Sequence, residues 1–89
     1  MELGIAGKTA LVCGASKGLG YGCAEALVKE GVNVVIVART AADLQAAAAR
    51  LQAVATQGAT VNYVAVDITT EAGRDEVFAS HSDFDIVVT

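Results

Sequence analysis

The sequence predicts an α/β fold in three layers, with a parallel sheet between helices, built from four strands in the order β-α-β-α-β-α-β. Two observations carry this. Short apolar runs alternate four times with segments of helical periodicity, and the connections between them are brief. Such alternation yields parallel strands joined by right-handed crossovers. In addition, Val34-Val35-Ile36-Val37 is continuously β-branched and does not alternate with polar residues, the pattern of a strand buried on both faces.

Taken in order, Thr9 to Cys13 reads as a short buried strand ended by Gly14. A helix follows from Gly18 to Glu30. Leu19, Cys23 and Leu27 repeat at four-residue spacing and form its expected apolar face, Gly20, Gly22 and Ala24 keep the side near the sheet small, and Gly31 stops it. The second strand covers Asn33 to Ala38. Thr40-Ala41-Ala42-Asp43 resembles a capping box with Asp in place of Glu. It opens a helix that includes the alanine run Ala46 to Ala49, sets Leu44, Ala48, Leu51 and Ala55 on one face, runs to about Gln57 and closes at Gly58. Val61 to Val66 is the third strand, with Asp67 just past its end. Thr70 to about Ser80 is a weaker helix anchored by Val77 and Phe78, and Asp85-Ile86-Val87-Val88 opens the fourth strand.

Composition bounds the function. The chain has 89 residues, 54% of them hydrophobic and 18% charged, so it is one globular domain or less and buries a smaller share of its surface than a full-sized domain. Its net charge is −4 and unevenly placed. Lys8, Lys17, Lys29, Arg39 and Arg50 against Glu2, Glu25, Glu30 and Asp43 leave residues 1–66 at +1. Arg74 against Asp67, Glu71, Asp75, Glu76, Asp83 and Asp85 leaves residues 67–89 at −5. An acidic chain without a basic stripe argues against nucleic acid or an anionic membrane as its partner. Cys13 and Cys23 are the only cysteines and lack metal-site or redox spacing. Both read as small core residues, and no metal site is expected. No N-terminal basic segment precedes a long apolar core, and no apolar run approaches the roughly 20 residues of a membrane span. The expected location is the cytoplasm.

The chemistry centres on Val12-Cys13-Gly14-Ala15-Ser16-Lys17-Gly18-Leu19-Gly20, a strand-to-helix turn with three glycines. Glycine accepts left-handed backbone and leaves no Cβ in the way of a ligand. The helix behind it turns unpaired N–H groups and partial positive charge toward the turn, which suits a phosphate. This is the phosphate cradle of a Rossmann-type sheet, in which ligands bind beyond the carboxyl ends of the strands. Arg39-Thr40 after strand two and Asp67-Ile68 after strand three therefore belong to the same edge. A P-loop is excluded, since no Lys-Ser or Lys-Thr follows the glycines. An NAD-selective site usually has an acid after strand two. Here Arg39 and the Thr40 hydroxyl stand there, with Lys17 in the glycine turn. Two cations suit a 2′-phosphate, and Arg39 can also stack on an adenine plane, so the cofactor expected is NADP(H).

The spacing G-x-x-x-G-x-G at Gly14, Gly18 and Gly20, with LGIAGKTALVCGASKGLG around it, Asp67-Ile68-Thr69 after strand three and Asp85-Ile86-Val87-Val88 in strand four, resembles the short-chain dehydrogenase/reductase family. Within it the chain looks most like the 3-oxoacyl-acyl-carrier-protein reductase type. The resemblance implies that residues 1–89 are the N-terminal, incomplete part of a single dinucleotide-binding domain. It also implies that Gly14, Gly18 and Gly20 shape the pyrophosphate turn and that Leu19 offers a backbone N–H there; Ser16 and Lys17, in the same turn, are counted with the cofactor-binding residues. Asp67 would accept from the adenine amino group and Ile68 would line the adenine pocket. The activity implied is hydride transfer between NADPH and a carbonyl or alcohol substrate such as a 3-oxoacyl thioester. Two departures stand out: Cys13 replaces the family's common Thr, and Thr89 occupies the first position of its Asn-Asn-Ala-Gly segment.

The family's catalytic Tyr-x-x-x-Lys does not occur in the chain. Tyr21 leads to Glu25 and Tyr63 to Asp67, and both tyrosines read as packing residues. His81 beside Ser80, Ser82 and Asp83 reads as a solvated loop residue, since sequence neighbours do not face one another as a triad must. No catalytic residue is assigned, and the 89 residues alone are expected to be inactive. Three readings stand side by side: the cofactor-binding part of a reductase, a non-catalytic nucleotide-binding module, and a fragment that self-associates through the open edge of its sheet.

Overall fold

The computed structural model describes residues 6–14, 18–80 and 83–88. Ser16, Lys17, His81, Ser82 and Thr89 lie outside them. The alternating apolar and helical segments fold as read: β1 (Thr9–Cys13), α1 (Gly18–Lys29), β2 (Asn33–Ala38), α2 (Ala41–Val54), β3 (Val61–Ala65), α3 (Glu71–Ser80) and β4 (Ile86–Val88). The strands form one sheet in the order β3-β2-β1-β4, and every neighbouring pair is parallel.

Because side chains alternate along a strand, β1 and β2 send residues to two cores. Ala10, Val12, Val34 and Ile36 meet Ala24 and Val28 of α1 and Leu44, Ala47, Ala48 and Leu51 of α2. Leu11, Val35 and Val37 face the other way, toward Val77 of α3, with Cys13, Val64, Val66, Ile68 and Phe84 around them. The continuous β-branched run of β2 is thus buried on both sides, from Val34 to Val37. Leu44, Leu51 and Ile36 are fully enclosed, each contributing about 1.5–3 kcal/mol through burial.

Polar side chains pin the lower ends of the strands. Asp85 accepts from the Thr9 N–H through Oδ2 at 2.9 Å, while its own N–H donates to the Thr9 carbonyl at 2.8 Å. This reciprocal pair sets the register of β4 against β1. Asn33 accepts from the Thr60 N–H at 2.9 Å. Gln52 of α2 donates to the Ala59 carbonyl and accepts from the Val61 N–H, both at 3.0 Å, so it stands in for a strand neighbour where β3 begins.

Several expectations change. The apolar face of α1 is rotated by one position: Ala24 and Val28 are fully buried, whereas Leu19 is 90% exposed and Cys23 is exposed. The small Ala24 lets the helix approach the sheet, and Leu19 in the first turn projects away from it. Gly22 is exposed, with nothing within 4 Å of where a Cβ would stand, so it does not serve close packing. Cys13 is half-buried, and burial raises its thiol pKa. The end of α1 follows expectation, as Gly31 (φ +81°) donates to Val28 and the Val32 N–H to Leu27, a Schellman closure.

The second helix stops at Val54, three residues before Gln57. Thr56 leaves the helix to cap α1, its N–H donating to the Val28 carbonyl at 3.1 Å and its hydroxyl to the Lys29 carbonyl at 2.7 Å. Gln57 and Gly58 then turn the chain with positive φ. Thr40 is the N-cap of α2 but makes no side-chain capping bond, so the expected capping box does not form and its hydroxyl is not spent on the helix. Tyr63 is 41% exposed on the edge strand β3 and is not a packing residue. Tyr21 is: it packs against the first core, with the Arg50 guanidinium 4.7 Å from its ring centre. Phe78 is half exposed and meets Phe84 edge-on at 5.9 Å, leaving Val77 as the sole fully buried anchor of α3 among the described residues.

Candidate functional site

Parallel strands deliver their C-terminal residues to one edge, and three adjacent strands do so here. The ladder runs one residue past each strand: the Gly14 N–H donates to the Val37 carbonyl at 2.7 Å, and the Val66 N–H to the Ala38 carbonyl at 3.0 Å. Beyond that point the chains separate around a cavity of about 440 Å³, within the ~300–1,000 Å³ of small-molecule clefts. Gly14 lines it from β1, Arg39 and Thr40 from β2, and Asp67, Ile68 and Thr69 from β3, with Val37, Ala38 and Val66 as walls. Five of the residues picked out in the sequence therefore meet in one place: Gly14, Arg39, Thr40, Asp67 and Ile68. Gly18, Leu19 and Gly20 open α1 and do not line the cavity, while Ser16 and Lys17 fall outside the described residues.

Gly14 and Gly18 have φ of +68° and +65°, the left-handed region that L side chains adopt at a cost. A Cβ at either would stand in open space. Conformation, not crowding by protein, is thus what calls for glycine at these two positions.

Asp67 is held in a local turn. Its Oδ1 accepts from the Thr69 N–H at 2.9 Å and from the Thr69 hydroxyl. The hydroxyl, then the amide, hold its carboxyl below the usual range. Slight desolvation opposes this, and the charge of Arg39 adds to it. Asp67 is therefore ionised at neutral pH and presents an acceptor, and Arg39 is close enough to act on it through charge.

The turn rests on the start of α3. The Asp67 carbonyl accepts from the Thr70 N–H (3.1 Å) and hydroxyl (2.8 Å), and the Thr70 Oγ1 accepts from the Gly73 N–H at 3.0 Å, an N-cap. A Cβ on Gly73 would lie 2.0 Å from the Asp67 carbonyl oxygen. Arg74 Nη1 donates to the carbonyls of Ile68 (3.3 Å) and Thr69 (3.2 Å). Thr69, Gly73 and Arg74 are not among the site residues expected from the sequence. Asp-x-Thr is a known local turn signal and a glycine inside a helical segment invites a packing reason; the Arg74 contact has no sequence signature.

The cavity holds a cation, a carboxylate, two hydroxyls and apolar walls, without a nucleophile and base in contact. Neither tyrosine lines it.

The chain is similar to L-xylulose reductase of Mesocricetus auratus, 36% identical over 88 residues, covering 99% of this chain and 33% of the relative. It is 35% identical over 86 residues to 3-ketodihydrosphingosine reductase of Yarrowia lipolytica, covering 90% of this chain and 22% of the relative. Among solved structures, L-sorbose reductase of Gluconobacter frateurii, complexed with NADPH and L-sorbose, superposes with a TM-score of 0.87 at 40% identity, covering 98% of this chain and 34% of the other. The chain thus spans a third or less of the curated relatives' length. With the short chain dehydrogenase model matching residues 8–88, over a parallel sheet whose strand ends gather around one cavity, the chain belongs to the short-chain dehydrogenase/reductase family.

Proposed function

We propose that residues 1–89 are the N-terminal part of a single dinucleotide-binding domain and hold the adenosine-phosphate end of NADP(H) for a carbonyl reductase or alcohol dehydrogenase. The observation that carries this reading is the convergence of Gly14, Arg39-Thr40 and Asp67-Ile68 on one cavity at the carboxyl ends of three adjacent strands. The donor set fits the group. An ionised Asp67 accepts from an exocyclic amino group, the walls of Val37, Val66 and Ile68 suit a flat apolar base, and Arg39 with the uncommitted Thr40 hydroxyl suits a 2′-phosphate. Gly14, Ser16, Lys17, Gly18, Leu19 and Gly20 would form the pyrophosphate turn at the start of α1. The bound cofactor supplies the hydride. The residues described here bind and orient it, and the proton-transfer groups of the reaction lie outside this chain, which contains no Tyr-x-x-x-Lys.

The NADPH in the L-sorbose reductase complex supports this cofactor, and the reductases among the relatives support a carbonyl substrate. A 3-oxoacyl thioester is one member of that class. The test is to titrate NADPH and NADH into the wild-type chain and Arg39→Ala. We expect NADPH to bind more tightly, and the variant to lose that preference by roughly ten- to hundredfold, the worth of one hydrogen-bonded charge pair. The same preference in both proteins would refute the assignment.

Self-association through β4 is a second, separate reading. This strand lies at the sheet edge and Val87 is 56% exposed, an edge open to a further strand. Sedimentation should show dimers that Val87→Lys abolishes; a monomer at all concentrations would refute it.

A further inference from the structure

The loop that carries Asp67 and Ile68 is held from below by a residue that takes no place in the cavity. Arg74 belongs to the first turn of α3, in a segment where six acids surround it in sequence. Its Nη1 nevertheless goes to two backbone carbonyls, those of Ile68 and Thr69, at 3.3 and 3.2 Å. A carbonyl and the following N–H belong to one rigid peptide plane. Fixing the Ile68 carbonyl therefore fixes the Thr69 N–H, the same group that donates to Asp67 Oδ1 at 2.9 Å. Fixing the Thr69 carbonyl fixes the Thr70 N–H, which donates to the Asp67 carbonyl at 3.1 Å. One guanidinium thus orients both peptide planes that hold Asp67.

We propose that Arg74 is a positioning residue for the Asp67–Thr69 turn, holding the carboxylate and Ile68 in the arrangement that receives the adenine end of the cofactor. The inference rests on the dinucleotide reading but concerns a residue that reading does not use. Arg74 makes the turn rigid before the ligand arrives, so its loss weakens every adenine dinucleotide alike. Arg39 instead separates NADPH from NADH.

The experiment compares the full 89-residue chain with Arg74→Met and Arg74→Lys. Calorimetric titration with NADPH and NADH gives affinity, and amide hydrogen exchange without ligand gives the state of the turn. The two long contacts of the single Nη1, counted together as one net hydrogen bond of ordinary worth, set the expected effect at about three- to tenfold. Arg74→Met should weaken both dinucleotides by that factor with their ratio unchanged. It should speed exchange at the Thr69 and Thr70 amides while leaving the β2 amides as slow as before. Arg74→Lys, which keeps a cationic donor, should recover part of both. Unchanged exchange at Thr69 and Thr70 would overturn the proposal, as would uniform acceleration across the core or an altered NADPH/NADH ratio. Should the wild-type chain bind neither dinucleotide, the cofactor reading fails for this chain, and the exchange comparison alone decides whether Arg74 holds the turn.

Discussion

Gly73→Ala should destabilise the protein, although an alanine inside a helix ordinarily does the opposite. The added Cβ would stand 2.0 Å from the Asp67 carbonyl oxygen, 2.8 Å from its carbon and 2.9 Å from Thr70 Oγ1. An ordinary carbon–oxygen contact is about 3.3 Å or more, so α3 or the Asp67 peptide must move by over an ångström. Neither moves alone. The carbonyl accepts both hydrogen bonds of Thr70, whose Oγ1 in turn accepts the Gly73 N–H. Alanine gains about 1 kcal/mol of helix propensity over glycine. Against this, overpacking costs about 1–3 kcal/mol and a lost N-cap about 0.5–2 kcal/mol. The net is a loss of about 0.5–4 kcal/mol, measured by urea unfolding, together with weaker NADPH binding because Asp67 is displaced. Gly22→Ala is the control. Gly22 is also in a helix, but a Cβ there meets nothing within 4 Å, so stability should rise by about 0.5–1 kcal/mol. If Gly73→Ala matched Gly22→Ala, the close approach of α3 to the Asp67 loop would be refuted.

Three further outcomes follow from the same structure. A thiol reagent at neutral pH should modify the exposed Cys23 well before Cys13, whose burial raises its pKa and lowers its thiolate fraction; mass spectrometry of the peptides would show equal rates if this is wrong. Asp85→Ala should cost about 1–2 kcal/mol by leaving the Thr9 N–H without its acceptor, with faster amide exchange at Thr9, whereas Asp85→Asn retains an acceptor and should keep most of the protection. Because the folded pKa of Asp67 lies below its ordinary value of 3.8, its turn contributes stability above that pH and loses it as pH falls through the lower folded value; the fall in urea midpoint between about pH 5 and 2 should be shallower in Asp67→Asn, and an identical fall would contradict the Thr69 hydrogen bonds.

What the residues reveal in sequence depends on whether the cause is local. The unbroken β-branched run of β2 has one physical solution, burial on both faces, and Val34 to Val37 adopt it. The placing of Arg39, Thr40, Asp67 and Ile68 also follows from sequence, because parallel strands bring their carboxyl ends to one edge. The facing of α1 is less legible. Leu19-Cys23-Leu27 and Gly20-Ala24-Val28 are adjacent stripes of the same period, and periodicity does not choose between them. Close approach to the sheet does, and it selects Ala24 and Val28. Composition likewise conceals the end of α2, since every residue up to Ala55 suits a helix. It is the carbonyls of Val28 and Lys29 at the end of α1, far back in the chain, that take Thr56 out of it. Gly73 and Arg74 are the extreme case: their roles exist only once α3 lies against the Asp67 loop.

That dependence couples the cavity to the less covered side of the sheet. Two helices enclose the first core, whereas the second is closed by α3 through Val77, with Phe78 half exposed against Phe84. A further hold on α3 is at its start, where Thr70, Gly73 and Arg74 grip the Asp67–Thr69 segment. Docking of α3 and ordering of the Asp67–Thr69 side of the cavity should therefore go together. A ligand that binds only the ordered turn stabilises it by RT ln(1 + [L]/Kd), and through Thr70, Gly73 and Arg74 that free energy reaches α3 as well as the starts of α1 and α2. Amide protection gained on ligand addition should accordingly extend through residues 67–80. Truncating Val77, which shares a core cluster with the cavity residues Val37, Val66 and Ile68, should weaken the same ligand by loosening the helix and the walls beneath it.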